Sequence, residues 1–395
     1  MQPEQKRSTL LIVFLIVFID LMGFGIVIPL LPLYGDRYHP SPAVFGLLMA
    51  TYSLVQFLFT PMLGRLSDRF GRKPILLLSL AGTVGGYLLF GLQTSLALLF
   101  LSRVVGGLMG ANVATAQAVI ADITKPEDRA KGMGLIGAAF GLGFIFGPAI
   151  GWATLDLGES APGFFAAGFS AAALALTAWR LPETWPEERR FGRVEHARGW
   201  FSPRRLWAGL SHPQIGILLV VFFLATFAFA NFESTFALTL AKRLLLTNRQ
   251  VMWLFVYVGV LAAFIQGGLI GRLAKRYGER RLILAGAACL VPGYASLVYT
   301  RSLGQLLLFL PLLALGAGLT GPTLSSLVSR LSTADEQGGM LGVFQSMSSL
   351  ARIAGPFWGG FAFERFGAGM PYWTATVTAC LVCALAAFVN LHAEK

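Results

Sequence analysis

Four ionisable residues stand inside otherwise apolar stretches: Asp20, Arg103, Glu233 and Arg352. A charge at the centre of a bilayer costs about 3 kcal/mol or more on insertion scales, so such a residue is expected to face a cavity and to do chemistry there. Asp20 is a carboxyl that can alternate between charged and protonated, which suits a proton carrier. Arg103 stays charged in a dry cavity and can bias a nearby carboxylate or a bound solute. Gly107, Gly110 and Gln117 share its helical face, leaving room beside the guanidinium. Phe222, Phe229 and Phe236 recur at helical spacing around Glu233, with Thr226 and Ala230 on the same face. An acid flanked by phenyl rings suits a lipophilic cation through charge and cation–π attraction. Gln345, Ser348, Ser349 and Arg352 form another polar face, and Tyr52, Gln56, Asn231 and Gln266 add polar groups to a cavity. The competing use of these charges is a fixed ion pair that only locks helices, Glu233 with Arg352 being the first to test.

The elements that position these residues follow from composition. The chain has 395 residues, 55% hydrophobic and only 13% charged, with a mean hydropathy of +0.68. That charged share is about half that of a soluble domain, and it excludes a disordered chain. Apolar stretches between charge clusters predict twelve membrane helices, at roughly 9–34, 43–66, 75–93, 95–122, 132–157, 163–181, 213–241, 249–273, 282–300, 303–330, 338–363 and 371–392. The first runs past Asp20 to Tyr34 without a cleavage site, so it reads as a retained helix. Of the 31 Lys and Arg, 23 fall on the side of the termini and 6 on the other. The positive-inside rule then places both termini in the cytoplasm of a multi-pass protein of the plasma or inner membrane. The same asymmetry accounts for the net charge of +12 without nucleic acid.

The chain divides into a first six-helix unit (1–181), a polar linker (182–212) and a second six-helix unit (213–395). The two units repeat. Gly64-Arg65-Leu66-Ser67-Asp68-Arg69-Phe70-Gly71-Arg72-Lys73 matches Gly271 to Arg280 at an offset of 207. Gly132-Met133 matches Gly339-Met340 at 207, and Gly147-Pro148 matches Gly355-Pro356 at 208. A duplicated six-span unit is a transporter signature, with the site near the midplane at the repeat interface.

The segment from Gly64 to Lys73 resembles the loop 2–3 signature of the major facilitator superfamily, with Gly64, Asp68, Arg69, Gly71 and Arg72 at its defining positions. The resemblance implies a conformational latch. Span 5 carries Gly134, Gly143, Gly147, Pro148 and Gly151, similar to the antiporter motif of the drug:proton exporters, with Trp152 where Gly is frequent. Span 1, from Asp20 to Pro32, and span 4, from Arg103 to Gly110, resemble the twelve-span drug:proton antiporters, and the N-terminal half looks most like the tetracycline exporters. Two acids of those exporters are missing: Gly86 precedes Tyr87 in span 3, and span 9 has none. That departure puts a metal–tetracycline substrate in doubt.

The fold expected is therefore an all-α membrane protein, twelve transmembrane helices in two pseudo-symmetric six-helix bundles. The function expected is proton-coupled export of small lipophilic compounds, cationic or neutral, by alternating access. The alternatives are an importer or facilitator on the same fold, and a non-transporting sensor. No H-E-x-x-H or G-x-S-x-G occurs, so an enzyme is not expected. Cys289, Cys380 and Cys383 lack a second ligand pair, so no metal is expected. The expected partners are a small-molecule substrate, protons and the bilayer around a monomer. No cofactor and no nucleic acid are expected.

Overall fold

The computed structural model describes residues 3–38, 40–124, 126–185, 207, 209–332 and 337–388. Among these the chain is helical and holds no strand. A bilayer offers the backbone no water, so each apolar stretch must satisfy its N–H and C=O groups internally, as a helix does. Fourteen α-helices result: α1 (Pro3–Tyr38), α2 (Pro42–Phe70), α3 (Arg72–Leu92), α4 (Leu96–Leu108), α5 (Asn112–Ile123), α6 (Pro126–Thr154), α7 (Ala161–Arg180), α8 (Ile215–Leu244), α9 (Asn248–Phe264), α10 (Ile270–Tyr277), α11 (Glu279–Tyr299), α12 (Leu303–Leu331), α13 (Gln337–Phe366) and α14 (Met370–Phe388).

They occupy the twelve expected segments because two of those segments are interrupted. Span 4 breaks at Met109–Ala111 into α4 and α5, and span 8 carries a π-helical turn, Ile265–Leu269, between α9 and α10. Nine helical segments among the described residues are long and apolar enough to cross a membrane, and Gly141–Leu157 and Asn248–Phe264 are shorter apolar helices.

The chain forms two compact units, residues 1–38 with 54–201, and residues 39–53 with 202–395. The division thus differs from the expected one inside α2, whose first turns belong to the second unit. The expected linker lies mostly outside the described residues. In the first unit α1 packs along α6, and α3 packs on α7 and α4. Its core joins Ile12, Val13, Ile16 and Val17 of α1 to Leu76 and Leu80 of α3 and Val119 and Ile120 of α5. In the second unit α8 packs along α13, and α11 packs on α12 and α14. The same pairings recur at the repeat offset, so the sequence repeat is a repeat of packing.

Close packing of α1 on α6 depends on glycine. A Cβ on Gly143 would lie 2.7 Å from Cβ of Leu21, and one on Gly147 would lie 2.5 Å from the carbonyl of Met22. The glycines of the antiporter-like segment therefore seat α6 against the turn of α1 that follows Asp20. Pro148 and Gly151 are buried beside them.

Candidate transport site

Asp20 is 7% exposed, in the middle of α1. Asn112, the first residue of α5, donates from Nδ2 to the Asp20 carboxylate at 2.8 Å and to Oγ1 of Thr83 at 3.2 Å. Tyr87 on α3 donates its hydroxyl to the Asp20 main-chain carbonyl at 3.3 Å. A buried carboxylate thus joins α1, α3 and α5. Arg103 is 4% exposed on α4, with its guanidinium 5.1 Å from the centre of the Phe90 ring. Its Nε donates to Oγ of Ser102 at 3.3 Å. The side chain on Asp20's carboxylate is Asn112, not Arg103. Asn112 carries no charge and so does not stand out in the sequence, but a lone Asn in an apolar span is also a polar group that must find a partner.

Gln56, expected among the cavity groups, is committed elsewhere. Its Nε2 donates to the carbonyl of Gly110 at 2.7 Å. That carbonyl lies in the break between α4 and α5, where the regular ladder stops, so the amide of Gln56 satisfies the interrupted helix. Gln117, on α5, is half-buried, and Tyr52, on α2, is half-buried in the second unit.

In the second unit Glu233 is half-buried on α8. It interacts electrostatically with Arg352 on α13 and with Tyr294 on α11. Arg352 is half-buried, and Gln345 on the same helix is exposed. The hydroxyl of Tyr294 is buried without a hydrogen-bond partner among the described residues. Two other residues expected at this cavity are buried in the helix packing. Phe236 is 1% exposed and packs on Phe232, with ring centres 4.8 Å apart, and on Phe255 at 5.6 Å. It is a core residue, the usual fate of aromatics at helical spacing. Asn231 is 0% exposed, and its Nδ2 donates to the Pro371 carbonyl at 2.7 Å and to Oγ1 of Thr374 at 3.1 Å. It locks α8 to α14. Phe229 is half-buried, its ring centre 6.0 Å from that of Phe232.

The α2–α3 turn is built around Arg72 rather than Asp68. Arg72 is 6% exposed and Asp68 is exposed. Arg72 pairs with Asp68 at 2.7 Å and Asp122 at 3.0 Å, donates to Oγ of Ser67 at 2.7 Å, and lies 4.7 Å over the Trp185 ring. Arg69 is exposed, over the ring of its neighbour Phe70. Gly71 turns the chain at φ 107°, ψ 158°, a region essentially restricted to glycine. Gly64, one turn before the cluster, accepts Oγ of Ser67 at 2.6 Å.

Comparison with known proteins agrees with this architecture. A profile of the Major Facilitator Superfamily matches residues 13–356 and 218–395. The class D tetracycline resistance protein of Salmonella ordonez is 32% identical over 358 residues, 90% of this chain and 89% of that protein. Multidrug resistance protein 1 of Bacillus subtilis is 30% identical over 385 residues, 97% of this chain and 96% of that protein. The crystal structure of the human organic anion transporter MFSD10 superposes with a TM-score of 0.75 at 29% identity, covering 98% of this chain and all of that one. A duplicated helical unit, buried charges in apolar helices and relatives matched end to end identify a multi-pass membrane transporter rather than an enzyme, and the chain belongs to the Major Facilitator Superfamily.

Proposed function

We propose that the protein is a proton-coupled exporter of small lipophilic compounds, working by alternating access, with both termini in the cytoplasm and no cofactor beyond the proton gradient. The observation that carries this reading is Asp20: a carboxylate buried in α1 and held by a neutral amide rather than by a cation. A carboxylate locked to an arginine resists protonation, whereas one held by an amide can take and release a proton as its solvation changes. The tetracycline and multidrug resistance proteins matched over nearly the whole chain support export. Arg103 acts on the solute or on the helix ends near it rather than by touching Asp20.

Glu233 with half-buried Phe229 favours a cation or a neutral lipophile. The nearness of Arg352 and the likeness to an organic anion transporter favour the second reading, an anion held by Arg352. Proteoliposomes with an imposed pH gradient and three dyes of similar shape, cationic, neutral and anionic, separate these. Gradient-driven movement is expected for the cation and the neutral dye, lost in Asp20→Asn. Glu233→Gln is expected to weaken the cation alone. Wild-type coupling in Asp20→Asn overturns the proton assignment, and transport of the anion alone overturns the cation reading.

A further inference from the structure

Span 4 is interrupted, and the residue that restarts it touches the carboxylate assigned to the proton. At the break the backbone bonds tighten: the N–H of Gly110 donates to Gly107 and that of Ala111 to Met109, and regular α-helical bonding resumes with Thr115 N–H to Ala111. Gln56 takes the Gly110 carbonyl. Asn112 then opens α5 with a side chain that is 0% exposed and tied to Asp20 and Thr83. Its Oδ1 has no partner among the described residues, so the hold on α1 is through Nδ2 alone.

We infer that Asn112 is a positioning residue that transmits the proton occupancy of Asp20 to the break between α4 and α5, so that protonation loosens the start of α5. This rests on the proton assignment to Asp20. A hydrogen bond to a charged carboxylate is roughly twice as strong as one to a neutral carboxyl. Charged Asp20 therefore pins Asn112 to α1, and neutral Asp20 holds it about half as firmly. A regular helix would resist such a change through its own ladder. Here the ladder is already open one residue before Asn112, so the weaker tether is felt locally.

Among the described residues, the ionisable groups that neighbouring elements bring near this contact hold other partners. α3 brings Tyr87, which bonds the main chain of residue 20, and α4 brings Arg103, which lies over Phe90. The only ionisable residue of α5 is Asp122, at its far end beside Arg72. By sequence, α6 carries Glu127, Asp128, Arg129 and Lys131 only in its first two turns, and α7 carries Arg180 only at its last residue.

The test uses the full chain in nanodiscs, with two readouts: infrared titration of the protonated carboxyl, and hydrogen exchange of the amides of residues 110–115 corrected for the intrinsic pH dependence. In the wild type, exchange at 110–115 is expected to rise as the carboxyl signal appears. In Asn112→Leu, exchange at the break is expected to lose its pH dependence. Asn112→Gln, which keeps the amide, is expected to retain part of it. Exchange in the wild type that is flat across the titration overturns the inference without any variant having to fold. So does unchanged pH dependence in Asn112→Leu. Gradient-driven export that survives in Asp20→Asn, with the exchange linkage intact in the wild type, instead overturns the transport role of Asp20 and leaves the linkage standing.

Discussion

The two repeats solve the same problem at the same place with opposite charges. In the first unit the start of α3 supplies Arg72, which meets Asp122 at the end of α5. In the second unit, 207 residues on, the start of α11 supplies Glu279, which meets Arg330 at the end of α12 at 3.2 Å. The turns before them match too: Gly278 has φ 78°, ψ 158°, close to Gly71. The surroundings differ. The first pair is buried, its side chains 8% and 12% exposed, and it is braced by Asp68, Ser67 and Trp185. In addition, the carboxylate of Glu183 accepts the backbone N–H groups of Arg72 and Lys73 at 2.9 and 3.2 Å, capping α3 from beyond α7. The second pair leaves Arg330 67% exposed, helped by Oγ of Ser326 on the same carboxylate at 2.6 Å. A duplicated scaffold thus preserves the joint while one copy is built as a buried hub and the other as a surface contact.

The largest expected effect breaks the hub. Removing one partner of a buried ion pair leaves the other charge desolvated, at a cost of about 3 kcal/mol. Arg72→Ala is expected to lose about that much stability, and Glu279→Ala no more than about 1 kcal/mol, the range of exposed pairs. Thermal unfolding of the purified variants in one detergent compares them. Equal losses would show that burial is not what separates the two joints. Exchanging the charges of Arg72 and Asp122 in a double variant is expected to recover part of the loss.

The shared feature should respond alike in both units. At Gly71 and Gly278 any side chain forces a backbone region that is nearly closed to L-residues, worth about 2 kcal/mol. Gly71→Ala and Gly278→Ala are therefore expected to lower the unfolding temperature by similar amounts, despite their different neighbours. A loss confined to Gly71→Ala would mean that the hub, not the turn, sets the cost.

Much of this was legible before the fold. Helix positions follow from apolar length, and the repeat follows from Gly-Arg-Leu and Gly-Pro matches that need no coordinates. Asp20, Arg103 and Glu233 stand out because charge in an apolar run is expensive. What escaped is pairwise. Nothing in the order Gly107-Leu108-Met109-Gly110 dictates a break, since the partner that satisfies the freed carbonyl, Gln56, is 54 residues away. Phe236 shares the helical face of Glu233 and Asn231 stands two residues from that acid, and only the positions of α9 and α14 decide that they are buried. Helical period tells which residues travel together, not which neighbour waits for them.

The smallest expected effect concerns helix starts, where the two repeats also differ. α9 caps itself: Thr247 and Gln250 form a reciprocal capping box. α2, its counterpart, borrows a distant carboxylate within the second unit, the Glu364 side chain on α13, which accepts the N–H of Ala43 at 2.9 Å. The Ser41 hydroxyl and that N–H stabilise the charged form and hold the Glu364 carboxyl below its ordinary value. A group whose acidity is strengthened by folding contributes above the ordinary glutamate range and loses that contribution as pH falls through its lowered value. Acid should therefore loosen the start of α2 while sparing α9, whose cap contains no carboxylate. A cysteine at Ala43 is expected to react faster with a maleimide at low pH than a cysteine at Arg249 does, each rate normalised to a free thiol at the same pH. Glu364→Gln should remove the difference by making the α2 rate pH-independent. Parallel acid responses at both positions would mean that the start of α2 depends on the packing of Gly46 against Gly360 rather than on its borrowed cap.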